Sequence, residues 1–148
     1  MKHLIVVVLL TLMSFTASAQ DQSQCDAALD AQLKEMYALN QSYAGSVQYK
    51  EMSQTFMSCM QSGKCGKPEA LIGLMEAMVD EEVISIQRRK LAAIKAFFIR
   101  MRESRNDSCT ASREFPAVLD QLRVLNKAQL DRFVTYSKEF VDQQAKGK

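Results

Sequence analysis

Tryptophan is missing from these 148 residues, and the only histidine is His3. His3 lies in a leading segment that reads as removable, so the mature chain is expected to carry no imidazole. That excludes a Ser-His-Asp or Cys-His nucleophile, a helical phospholipase with a histidine base, and a His-ligated zinc centre. No G-x-S-x-G, P-loop or G-x-G-x-x-G sequence is present, which removes the usual nucleophile elbow and the nucleotide-cradling loops. Without tryptophan and with few other aromatics, there is little from which to build a sugar-stacking cleft. No C-x-x-C pair occurs, which argues against a structural zinc site. No stretch alternates apolar and polar residues between turn-rich borders, so strands are not expected.

Long apolar runs are scarce as well. The one that stands out, Leu4 to Phe15, follows Met1, Lys2 and His3 and precedes Ala17, Ser18 and Ala19. A charged start, a short apolar run and small residues at the two positions a signal peptidase reads make residues 1–19 a secretory signal peptide, with cleavage before Gln20. The run is short for a helix that must cross a bilayer, which takes about 20 residues, and nothing later replaces it. The expectation is an exported protein without stable membrane insertion, in a bacterial periplasm or secreted. Residues 20–148 then form a single helical domain. Of 19 basic residues only Lys2 is lost, leaving 18 against 17 acids. A nearly neutral chain is not a nucleic-acid binder, whose domain is strongly basic.

Four cysteines remain: Cys25, Cys59, Cys65 and Cys109. In an exported chain an even number reads as two disulfides, with three possible connectivities. Apolar residues recur at the helical period. Leu29, Leu33, Met36, Asn40, Tyr43 and Val47 form one stripe, with Ser23 as its cap, and Tyr49, Met52, Phe56 and Met60 form another of shifted phase. Either one long helix or two with a bend at Gly45 would satisfy both. Gly63 to Pro68 is the clearest break, and Pro68 suits the start of a helix. From there Ile72, Met75, Val79, Val83, Ile86, Ile94, Phe97 and Met101 keep the period, with Lys90 alone out of place. An unbroken helix to Ser104 would be roughly 55 Å long at 1.5 Å per residue. Arg105 to Ser112 reads as a polar loop, Pro116 as the start of a short helix with Phe115, Val118, Leu119 and Leu122 inward, and Asn126 as the cap of a last helix, with Gln129 reaching back and Leu125 stapling onto Leu130. That last helix carries Phe133, Val134, Phe140 and Val141.

The fold class is therefore all-α: an elongated helical hairpin or small helical bundle, disulfide-stabilised. Helix length limits the disulfides, because bridged Cα atoms lie within about 7 Å. If residues 26–61 form an arm antiparallel to the long helix, Cys25 meets Cys109 at the far end and Cys59–Cys65 clips the turn. A sharp bend at Gly45 would instead bring Cys25 back to Cys59 or Cys65.

Recognition rather than bond-making is the leading expectation: a non-enzymatic protein-binding module of inhibitor, immunity or adaptor type, needing no cofactor, with another envelope or secreted protein as partner and oligomers compatible with it. The candidate contact surface is the basic stretch Arg88, Arg89, Lys95, Arg100 and Arg102, beside Phe97 and Phe98. The alternative is a small-ligand carrier or periplasmic chaperone, with Cu(I) as a possible cargo. Met57 and Met60, and Met75 and Met78, are thioether pairs one turn apart, and soft thioethers suit Cu(I). A carboxylate-based hydrolase using Asp80, Glu81 or Glu82, helped by Glu76, is the third reading, since paired carboxylates need no histidine.

Overall fold

The computed structural model describes residues 21–39, 45–105 and 107–146, and the expected signal peptide lies outside them, as do Asn40 and Tyr43. The described residues form helices and no strand. Helix α1 covers residues 21–39, α2 Val47–Gln61, α3 Lys67–Val79, α4 Glu81–Glu103 and α5 Ser108–Lys146.

The helix α5, at 39 residues and about 1.5 Å rise each, is the spine. α1 and α2 run parallel to it in succession. Gln22 and Asp26 meet Ser108, Glu35 meets Arg123, and Glu51 meets Lys138. α3 and α4 return antiparallel to it. Glu76 meets Tyr136, Asp80 meets Arg132, Lys90 meets Asn126, and Phe97 packs on Phe115. The outcome is an up–down–up bundle of three arms, two of them interrupted.

Two apolar cores stack along this spine. Leu29, Phe97, Phe115, Leu119 and Leu122 fill one, where α1, α4 and the first half of α5 meet. Met52, Phe56, Ala77, Val83, Phe133 and Phe140 fill the other, between α2, α3, the start of α4 and the second half of α5. Between them lies a polar layer: Lys90, only 4 % exposed, donates to Asn126 Oδ1 at 3.1 Å and Gln129 Oε1 at 3.4 Å.

The cysteines pair Cys25–Cys109 and Cys59–Cys65, with Cα separations of 4.7 and 5.4 Å. The first ties the start of α1 to the start of α5. The second clips the turn between α2 and α3, where Gly63 takes φ +68°, the left-handed conformation that glycine adopts without strain.

Several sequence expectations fail, each for a local reason. The helix expected from Pro68 to Ser104 breaks at Asp80, whose backbone leaves the helical region at φ −52°, ψ 139°. Its carboxylate accepts from the backbone N–H groups of Glu82 and Val83, capping α4. Arg132 holds the same carboxylate from α5. Ser23 lies inside α1 rather than ahead of its first turn. The shifted phase of α2 reflects a second helix, begun by Ser46, whose side chain accepts from Tyr49 N–H, and it leaves Val47 exposed.

The polar loop expected over Arg105–Ser112 is shorter. Asp107 accepts from Cys109 N–H and Thr110 Oγ1, starting α5 at Ser108. Pro116 does not open a helix but sits inside α5. A proline there has no N–H for the carbonyl four residues back. That carbonyl, Ser112, accepts instead from Gln32 Nε2 of α1 at 3.0 Å. Asn126 is no cap either: it is buried within α5 as acceptor to Lys90.

The face that α3 buries also differs from expectation. Ala70, Gly73 and Ala77 point inward, while Ile72, Met75 and Val79 are exposed. The Phe56 and Phe140 rings occupy the space over Gly73, so closely that a Cβ there would lie 2.8 Å from both. Only a face of small residues fits beneath that ring pair.

Candidate functional site

Helix α4 turns Val83, Ile86, Lys90 and Phe97 into the bundle. The helical period puts Arg88, Lys95 and Arg102, each seven residues from the next, in a row on its opposite side. All three are exposed, and none forms an ion pair among the described residues. Leu91, 66 % exposed, and Phe98 lie one turn from these cations along one flank, and Ile99 lies on the other. Lys95, Phe98, Ile99 and Arg102 line a shallow depression. Phe98 stacks edge-on against the buried Phe97, with ring centroids 5.5 Å apart. That contact anchors an exposed aromatic to the core.

Five candidate cations therefore separate into two groups. Arg88, Lys95 and Arg102 share the outward row. Arg89 and Arg100 fall on the flank toward α5, where Arg100 Nε lies 3.8 Å from Glu114. The helix supports its charges: Glu81 and Glu82 sit in its first turn and Arg100 and Arg102 in its last, each compensating the macrodipole.

A second surface was not legible as such. Between Ala70 and Val79 only Glu76 is polar, so α3 is apolar almost all round, a pattern normally seen in fully buried helices. Here one side packs on the bundle, and Leu71, Ile72, Met75, Met78 and Val79 form a stripe facing away from it, with Met75 71 % and Val79 62 % exposed. The signal available in the sequence was the pair of overlapping periods, small residues at 70, 73 and 77 and large ones at 71, 75 and 78.

The methionine candidates separate similarly. Met60 packs toward the cluster of Cys59, Cys65 and Ala70, while Met57, Met75 and Met78 are exposed. Cys59 and Cys65 are joined, so neither supplies a thiolate beside them.

The acidic candidates have structural duties. Asp80, held first by its hydrogen bond from Arg132 and then by two backbone N–H groups, has its carboxyl pushed below the usual range despite partial burial. Arg132 is correspondingly held more firmly protonated, chiefly by Asp80 and also by Glu139. Glu76 accepts from the Tyr136 hydroxyl at 2.9 Å. Burial, then that bond, pushes the Tyr136 phenol up to about 12. Glu81 and Glu82 remain exposed, and Glu82 lies 3.4 Å from Arg132 Nε.

Among the described residues no group of three or more His, Cys, Asp or Glu side chains is placed to hold a metal ion, and no helix is long and apolar enough to cross a membrane. Compared with protein-family models, with curated proteins and with solved structures, the chain matches none.

Proposed function

We propose that this protein is a non-enzymatic recognition module, exported through the signal peptide at residues 1–19, that binds another envelope or secreted protein of acidic surface through the outer face of α4. The observation that carries the reading is the row Arg88, Lys95 and Arg102: three exposed cations without ion-pair partners among the described residues, interleaved with Leu91, Phe98 and Ile99. Arginine beside an aromatic is the combination enriched at protein interfaces. A guanidinium without a local carboxylate offers its full fork of donors to one on a partner. Two disulfides fit an oxidising compartment, where a small helical scaffold gains rigidity and can present such a row with little ordering cost.

The partner is expected to present carboxylates spaced along about 20 Å, the length of fourteen helical residues, with an apolar side chain for the depression beside Phe98. Affinity capture from the native compartment tests this. The wild-type chain and the variant R88E/K95E/R102E serve as baits, with recovered proteins quantified by mass spectrometry. An acidic protein enriched by the first and absent from the second supports the reading. Equal recovery on both baits, when circular dichroism shows both folded, contradicts it.

A further inference from the structure

The apolar stripe on α3 has a symmetry that names its occupant. Leu71, Ile72, Met75, Met78 and Val79 stand at offsets of minus four, minus three, zero, plus three and plus four from Met75. Laid antiparallel on a second copy with a two-fold axis at Met75, the stripe covers itself. Leu71 then lies over Val79 of the second copy, Ile72 over Met78, and Met75 over Met75. A self-complementary patch is what an isologous dimer requires.

The charges at the two ends agree with this direction. Exposed Lys64 and Lys67 stand before the stripe, and exposed Glu81 and Glu82 follow it. Asp80 is already neutralised by Arg132, which also lies 3.4 Å from the Glu82 carboxylate, so Glu81 is the acid at that end without an ion pair among the described residues. Glu69, near the basic end, turns its carboxylate back over Gly66, into the space a Cβ there would occupy. α3 and α4 keep one register against α5 across the break, so Glu81 and Glu82 continue along the line of α3. Antiparallel docking brings Lys67 within a turn of Glu81 of the second copy, twice. A parallel arrangement would set lysine on lysine and glutamate on glutamate. Anionic lipid is disfavoured by the acids Glu76, Glu81 and Glu82 around the stripe.

We propose that the chain forms a two-fold symmetric homodimer through the outward face of α3, centred on Met75 and fixed in direction by Lys67 pairing with Glu81 across the axis. This surface is separate from the cationic row of α4 and stands or falls without it. The dimer would carry two such rows, one on each side.

Sedimentation equilibrium of the disulfide-bonded mature chain tests the proposal. The wild type is expected to show a reversible monomer–dimer equilibrium at or below a Kd on the order of 100 µM. Met75→Lys faces two ammonium groups at the axis and should weaken association by about 100-fold or more, with the far-ultraviolet circular dichroism and melting temperature of the monomer unchanged. Lys67→Glu alone should weaken it, and adding Glu81→Lys in the same chain should restore it. A wild type that stays monomeric well above that concentration overturns the proposal, whether the stripe then proves to bind vesicles or another protein. A dimer indifferent to Met75→Lys overturns it too, as does a charge-reversed Lys67→Glu, Glu81→Lys variant that fails to regain association.

Discussion

At the scale of single residues, the fold depends on side chains that answer for backbone groups elsewhere. Gln32 is the plainest case. Pro116 leaves the Ser112 carbonyl without its helical donor, and Gln32, 80 positions before that serine, supplies one. Gln32→Leu should therefore cost about 1–2 kcal/mol, the penalty for a buried acceptor left unmet. In a Pro116→Ala background the alanine N–H satisfies Ser112, and the buried Gln32 Oε1, which has no hydrogen-bond partner among the described residues, disappears with the glutamine. There the same substitution should be neutral or stabilising, and a double-mutant cycle by chemical denaturation reads the difference.

Asp80 carries the second residue-scale prediction. Its side chain is 12 % exposed and that of Arg132 18 %, so solvent screens the pair little. The folded carboxyl titrates below its unfolded value of about 3.9 because Arg132 and two backbone N–H groups hold the charged form. Its contribution is thus complete above the unfolded value and is lost as pH falls through the folded one. Acid denaturation should show stability declining below about pH 4, with a shallower decline in Asp80→Asn, which should itself cost about 1–3 kcal/mol at neutral pH. Neither residue's role was legible beforehand. Proline reads as a helix start and an acidic run as a solvated face, because both readings weigh neighbours in sequence and the decisive partners lie on other helices.

Helices were legible where burial and periodicity coincide. The Phe97 and Phe115 elements and the shifted stripes of α1 and α2 needed only the 3.6-residue period. α3 defeated that reasoning because two periods overlap on it, and size rather than hydrophobicity decides which face goes in. Gly73→Ala tests this directly. The new Cβ would press on Phe56 and Phe140 at 2.8 Å, and the substitution should destabilise by about 1–3 kcal/mol despite improving helix propensity. Phe140→Leu in the same chain should recover part of that loss, as thermal unfolding would show. The break at Asp80 was missed because the apolar period of the sequence runs through it, joining the exposed Ile72, Met75 and Val79 of α3 to the buried Val83 and Ile86 of α4.

For the molecule as a whole, the all-α class and its disulfide frame follow from an even cysteine count and long periodic arms. The Cys25–Cys109 bridge closes 84 residues and Cys59–Cys65 only 6, so the first restricts the unfolded chain far more. Replacing Cys25 and Cys109 by serine should cost roughly 4 kcal/mol, against roughly 2 kcal/mol for the Cys59 and Cys65 pair, measured as denaturation midpoints. Recognition surfaces were half legible. The cations of α4 are plain in the sequence, but their division between two flanks needs the bundle, since only its packing says which side of α4 faces solvent.

That division gives the most direct test of the account. The captured partner, titrated calorimetrically against R88A/K95A/R102A and against R89A/R100A, compares one face of α4 with the other, three cations removed against two. The account predicts at least a tenfold loss, about 1.4 kcal/mol, for the outward triple and little change for the flank pair. Equal losses from both variants, or the larger loss from Arg89 and Arg100, would contradict it.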